Sequence, residues 1–144
     1  PVIIWRKELR PDSGGAGKHR GGLGQFMEVG AVEGHEFDLS AMFDRVHHPA
    51  RGRNGGENGA PTRIERDDGT AMRGKGKQFV PHGMRVKLAF PGGAGYGPAS
   101  ERDPDEVKRD LARGYISPEK ATGTYGLDAG DVADVLEAVK RGEI

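Results

Sequence analysis

The chain contains no cysteine, which excludes disulfides, thiolate nucleophiles and cysteine-ligated metals together. It has no apolar run near the roughly 18 residues that a membrane-spanning helix needs, and its N-terminus lacks the apolar segment of a signal peptide. Aromatic residues are scarce at 6%, and the hydrophobic fraction of 34% leaves material for only a modest core. Net charge is also missing. Lys plus Arg and Asp plus Glu are both 22, so no global field draws the protein to nucleic acid or to a membrane. A soluble cytoplasmic protein without nucleic-acid or membrane partners is the expectation. The charge is unevenly spread, with residues 1–25 basic through Arg6, Lys7, Arg10, Lys18 and Arg20, and many of the acids lying beyond residue 100.

Glycine is what the chain has in excess. Its 25 glycines in 144 residues exceed the usual share of about 7% more than twofold. They cluster between short apolar runs, the pattern of specialised turns in a β-rich protein. The spacing predicts strands at Val2–Leu9, Phe26–Val32, Glu36–Val46, Thr62–Arg66, Lys77–Val80 and Met84–Phe90. In the third, Phe37, Leu39, Ala41 and Phe43 alternate with polar or exposed positions. In the last, Met84, Val86, Leu88 and Phe90 share a face. Glu33-Gly34-His35 is expected to close a tight hairpin between the second and third strands. Beyond residue 100 the period changes to that of a helix. Asp103-Pro104-Asp105-Glu106 has an Asp N-cap, Pro at N1 and Glu at N3, and Gly114 supplies the stop. Ser117-Pro118 starts a very short second helix. Asp128 starts a third, with Val132, Val135, Leu136 and Val139 on one side. Strands first and helices last argue an α+β fold, mainly antiparallel β as a sandwich or partly closed barrel, followed by short C-terminal helices. The expected division is a β-rich domain over 1–100 and a helical appendage over 101–144.

The most distinctive stretch is the loop from Arg10 to Gly24, with glycines at 14, 15, 17, 21, 22 and 24. Its Gly17-Lys18 pair suggests a phosphate-binding loop, but Asp12 stands where the pattern needs Gly and His19 where it needs Ser or Thr. Two readings of the loop remain. Its backbone N–H groups could converge on an anion, with Lys18 and Arg20 adding charge for a carboxylate or phosphate. Alternatively, its glycines could form left-handed turns that pack against a neighbouring domain. The candidate substrate-binding residues are Arg10, Asp12, Ser13, Gly14, Gly15, Lys18, His19 and Arg20. Ser13 lies in no nucleophile elbow, and Asp12 and Ser13 read better as side-chain caps of the glycine turn. The glycine run 91–98 follows a strand but lacks dinucleotide-fingerprint spacing, because Pro98 interrupts before the helix. The five histidines include the adjacent His47 and His48, and none has zinc-ligand spacing, so no metal site is expected within the chain.

These blocks together resemble the hydantoinase B/oxoprolinase family. Leu9-Arg10-Pro11-Asp12-Ser13-Gly14-Gly15, Gly17 and Arg20-Gly21-Gly22-Leu23-Gly24 look like a run near that family's C-terminus. Asp44-Arg45, His48-Pro49, Gly52, Gly55-Gly56 and Gly59-Ala60-Pro61 follow in order, then Phe90 to Pro98, then Glu101 to Tyr125-Gly126. The chain departs from the pattern at Pro98-Ala99, where the family usually has Asp or Asn, and the helix over 128–141 lies beyond the resemblance. The resemblance implies the C-terminal part of a B-type subunit that is several times longer and inactive as this piece alone. It implies as partners the remainder of that subunit and an A-type subunit that binds ATP, with ATP and a divalent metal serving the full complex and no cofactor in this chain. The implied reaction is hydrolysis of a cyclic amide such as a hydantoin or 5-oxoproline. Carboxylation of a ketone such as acetone or acetophenone is the alternative within the family, and a non-catalytic assembly module is an alternative of another class.

Overall fold

Alternating side chains and glycine turns shape the first two-thirds of the chain into six strands. The computed structural model describes all 144 residues, Pro1–Ile144. The strands are β1 (Val2–Arg10), β2 (Gly24–Ala31), β3 (Phe37–Met42), β4 (Arg63–Arg66), β5 (Lys75–Val80) and β6 (Arg85–Ala89). Every pairing is antiparallel, within one sheet of order β1-β2-β6-β4 and a second of β3-β5. The sheets are open, so the expected antiparallel α+β architecture holds as two sheets rather than a closed barrel.

Register explains the core between them. Met27 pairs with Leu88 and Leu88 with Ile64, while Val29 pairs with Val86, so one face of the larger sheet is apolar. Ile64, Val80, Val86 and Leu88 are buried there, with Phe37, Leu39 and Phe43 of the β3 region against them. Each fully buried aliphatic side chain contributes about 1.5–3 kcal/mol through removal from water. The opposite face is polar, as period-2 alternation requires.

One sequence expectation fails. Val32 and His35 do form a turn, with Gly34 at φ +81°, but β2 and β3 do not pair. Both neighbours of β2 are already taken, by β1 and β6, so the chain crosses at Gly34 into the second sheet. The turn residues satisfied a local rule, and long-range pairing decided the connection. The expected third strand also ends early, because Asp44–Val46 is a turn of 3-10 helix.

The C-terminal part is three helices: α1 (Pro104–Ala112), α2 (Pro118–Gly123) and α3 (Ala129–Arg141). The side chains of Asp103, Ser117 and Asp128 each accept a hydrogen bond from a first-turn N–H, satisfying donors that the helix cannot pair itself. Gly142 stops α3 in the left-handed conformation at φ 70°. Val107, Leu111, Ile116, Ala121, Tyr125, Leu127, Val132 and Val135 form a second core, which also takes in Ala16 from the glycine-rich loop. No helix is long and apolar enough to cross a membrane.

Candidate functional site

Three glycine-rich segments meet between the two cores: residues 13–24, 52–60 and 91–97. They run side by side and exchange backbone hydrogen bonds as strands do, but with irregular spacing. Gly15 N–H donates to Gly93 (2.9 Å), Gly93 to Gly22 (2.8 Å) and Glu57 to the carbonyl of Ala16 (2.7 Å). Gly95 donates to Glu57 (2.9 Å), Ala60 to Ser13 (2.8 Å) and Gly92 to Ala60 (3.2 Å). His19 and Tyr96 exchange a reciprocal pair at 2.9 and 3.0 Å, and Gly97 donates to Arg53 at 3.0 Å. The result is a layer of backbone packed on backbone.

Steric contact explains the glycine content. A Cβ on Gly92 would fall on the carbonyl of Ser13, on Gly95 the carbonyl of Ala16, and on Gly21 the carbonyl of Gly93. None of the glycines at 14, 15, 17, 21, 22 and 24 has a positive φ. The left-handed-turn reading of this loop is therefore overturned: Gly14, Gly15, Gly17, Gly21 and Gly24 serve close approach, not handedness, while open space surrounds Gly22. The residue that does turn the chain leftward here is Asp12, at φ 59°.

The predicted binding residues divide between the inside and the outside of this layer. Arg10 donates from Nη1 to the carbonyls of Pro61 (2.8 Å) and Phe90 (3.1 Å), clamping the loop ends. Burial, and then the nearby Arg63, lower the proton affinity of its guanidinium. The Arg10 side chain also borders a groove of about 220 Å³ on the polar face of the larger sheet, with Phe26, Arg63 and Lys87 among its walls. Ser13 is buried; its hydroxyl donates to the Arg10 carbonyl (2.6 Å) and accepts from Gly24 N–H (2.8 Å). It caps the glycine turn as expected. Asp12 caps something else, since its Oδ1 accepts from Ser117 N–H at 2.9 Å and holds the start of α2. Gly14 and Gly15 are buried inside the layer.

Arg20 reaches α1 across a long sequence separation. Its Nε and Nη2 meet the two carboxylate oxygens of Asp110 at 2.7 and 3.1 Å, a bidentate fork. Arg102 donates to Asp110 from the other side at 2.9 Å and to the Lys18 carbonyl at 3.2 Å. The three side chains are only 13%, 8% and 9% exposed for Arg20, Asp110 and Arg102. The hydrogen bond to Asp110 raises the proton affinity of Arg20 above the ordinary guanidinium value, so the guanidinium stays charged at any working pH. Beside this cluster the Tyr125 hydroxyl is buried without a protein hydrogen-bond partner, and burial raises its pKa.

Lys18 and His19 are the two predicted residues that face outward. Lys18 pairs with Glu101 at 3.3 Å on the surface, and the His19 ring lies tilted against Tyr96 with centroids 6.3 Å apart. Tyr96 is 52% exposed, and its hydroxyl accepts from Asn54 Nδ2 at 2.6 Å, which holds the strained Asn54 at φ 51°. The tips of all three segments thus present Lys18, His19, Arg53, Asn54 and Tyr96 together. Tyr96 and Asn54 were missed in the sequence, although an aromatic inside a glycine run was the available signal. Asp110 and Arg102 were missed because nothing local marks a partner for a residue some 80 to 90 positions away. The chain holds no group of three or more His, Asp or Glu side chains that could bind a metal ion.

An open two-sheet antiparallel scaffold, interlocked by glycine backbone and capped by three helices, defines the class of this chain as an α+β module. Residues 1–99 match the hydantoinase B/oxoprolinase family, and the chain belongs to it. It is 30% identical over 141 residues to the putative B-type subunit of a D-/L-hydantoinase from Pseudomonas sp. (strain NS671), covering 94% of this chain and 24% of that protein. The crystal structure of the ATP-dependent caprolactamase from Pseudomonas jessenii superposes with TM-score 0.77 at 27% identity, over 96% of this chain and 26% of that one. A nucleotide-free acetone carboxylase shares the fold at TM-score 0.70 and 17% identity, over 99% of this chain and 25% of that chain. The chain therefore spans about a quarter of the length of these relatives.

Proposed function

We propose that this chain is the C-terminal part of a B-type subunit of an ATP-dependent cyclic-amide hydrolase, inactive alone and completed by the rest of that subunit and an A-type, ATP-binding partner. The observation that carries the reading is similarity along nearly the whole chain to the B-type subunit of a hydantoinase and, in structure, to an ATP-dependent caprolactamase. In the reaction ATP activates the amide by phosphorylation. Water then takes the carbonyl carbon, the ring C–N bond opens, and ADP and phosphate leave. No residue of this chain is assigned a catalytic step. The proposed contribution of the loop from Arg10 to Gly24 is a wall of the active site, with Arg10, Asp12, Ser13, Gly14, Gly15 and Arg20 holding its shape while Lys18 and His19 at its outer tip face substrate.

The full complex should release ADP in step with ring opening of a hydantoin or 5-oxoproline, without bicarbonate. Turnover only with a ketone and bicarbonate would replace this reading with the carboxylase one. Lys18→Ala should raise KM or lower kcat several-fold while leaving the Tm within about 2 °C, since its side chain makes only an exposed pair.

A second reading has its own observation in favour. Arg10, Asp12, Ser13 and Arg20 each make side-chain hydrogen bonds inside the chain, as an assembly module would. Under that reading Lys18→Ala and His19→Ala leave kinetics unchanged and weaken association between the subunits.

A further inference from the structure

The two sheets do not match in width: the larger has four strands and the smaller two. β1 is an edge strand of the larger sheet and pairs only with β2. Register places Ile4 opposite Val29, Lys7 opposite Met27 and Leu9 opposite Gln25. Val29 and Met27 pack against the sandwich core, so the register, shifted by the irregularity at Trp5, sends Val2, Ile4, Lys7 and Leu9 to that same face. That face is apolar beneath β2 and β6 but uncovered beneath β1. Val2 is 63% exposed, Ile4 56% and Leu9 46%. Neither strand of the smaller sheet makes extensive contact with β1.

The free edge adds a second unmet demand. A nine-residue strand without Pro or Gly presents a row of N–H and C=O groups, which folded proteins normally blunt or cover. Its one irregularity lies between Ile4 and Arg6, where the Trp5 indole stacks under the Arg85 guanidinium at 3.8 Å. We infer that β1 is an inner strand of a wider sheet, and that the part of the B-type polypeptide outside this chain lays a strand along its edge and an apolar layer over Val2, Ile4 and Leu9. The inference rests on the B-type reading. Two observations favour that occupant. The same fold makes up 26% of the caprolactamase chain, which leaves most of such a polypeptide to supply the cover. The strand is also basic, with Arg6, Lys7 and Arg10 against Glu8, so antiparallel pairing with a second copy brings two net-positive strands side by side. A neutral or acidic strand fits.

Amide hydrogen exchange by NMR or mass spectrometry decides it. The 144-residue chain is compared with the polypeptide of its complete reading frame, or with the chain plus a separately encoded B-type remainder. The outward-pointing amides of β1 should exchange at least 100-fold more slowly when the remainder is present, while those of β2 and β6 change little. Ile4→Asp should lower the Tm of the longer assembly by more than 5 °C and that of the 144-residue chain by less than 2 °C. Equal β1 exchange in both forms overturns the inference, as does protection that grows with concentration of the 144-residue chain alone, which would mean a second copy covers it. A reading frame and gene neighbourhood with no further B-type sequence overturns it too. Failure of ATP-coupled ring opening instead, with β1 protected, would strike the proposed reaction and leave this interface standing.

Discussion

The sheet sandwich and the glycine layer are built on opposite principles. In the sandwich, side chains fill the space and the backbones stand apart, so Ile64, Val80, Val86 and Leu88 carry the packing. In the glycine layer the backbones themselves touch, and a single methyl group has nowhere to go at positions such as 92 and 95. Side-chain burial is tolerant, because volumes can be traded among neighbours. Backbone contact is not, because a carbonyl cannot move without breaking hydrogen bonds on both sides. The layer gains shape at the cost of adaptability, which suits a surface that must be presented the same way each time.

Gly95→Ala should separate the two principles most strongly. Its Cβ meets the carbonyl of Ala16, so a loss of about 3 kcal/mol or more is expected, at or beyond the upper end of ordinary overpacking. Thermal unfolding by circular dichroism checks it. Gly34→Ala is the control: its φ of +81° is strained for Ala but nothing lies near, so about 1–2 kcal/mol is expected. Equal losses at the two positions would mean that the layer yields as easily as a turn.

Asp110→Ala tests how the layer is tied to the helices. It strands two buried guanidiniums, and breaking a buried pair by removing one partner typically costs about 3–5 kcal/mol. Exchange protection should fall first in residues 13–24 and α1, and last in β6. Uniform loss would show that the two cores unfold as one unit.

The smallest effect concerns Tyr125. Burial raises its phenol pKa in the folded state, so folding favours the neutral form. Its stabilising contribution is present below the unfolded value of about 10 and is lost as pH rises above it, because the unfolded chain releases that proton first. Tyr125→Phe should be neutral or slightly stabilising at pH 7 and should flatten the fall in stability as pH rises above about 10. A denaturant series across that range measures it, and an unchanged slope would remove Tyr125 as its source.

The elements of this fold were legible in the sequence where period and caps agreed. Asp103-Pro104 and Ser117-Pro118 announced α1 and even the very short α2, because capping chemistry is local. The pairing of strands was not legible. β2 joins β6 across more than fifty residues, and no feature of Glu33-Gly34-His35 distinguishes a crossover turn from a hairpin. The glycine loop was found by density alone, but glycine answers two different needs, positive φ and close approach. Composition cannot separate them, since only the neighbouring backbone tells which applies. The partners at 52–60 and 91–97 stood out as blocks along the chain, whereas their convergence on 13–24 exists only in three dimensions.

The loop from Arg10 to Gly24 is a preformed layer bonded to its neighbours, and native-state hydrogen exchange of its amides tests this most directly. Gly15, His19, Glu57, Gly93 and Gly95 all donate within the layer. Their amides should be protected to within about tenfold of those in β2 and β6, since both open only when tertiary structure is lost. Exchange at the rate of an unstructured peptide, with β2 and β6 still protected, would contradict it and return the loop to an open segment that orders only around a ligand.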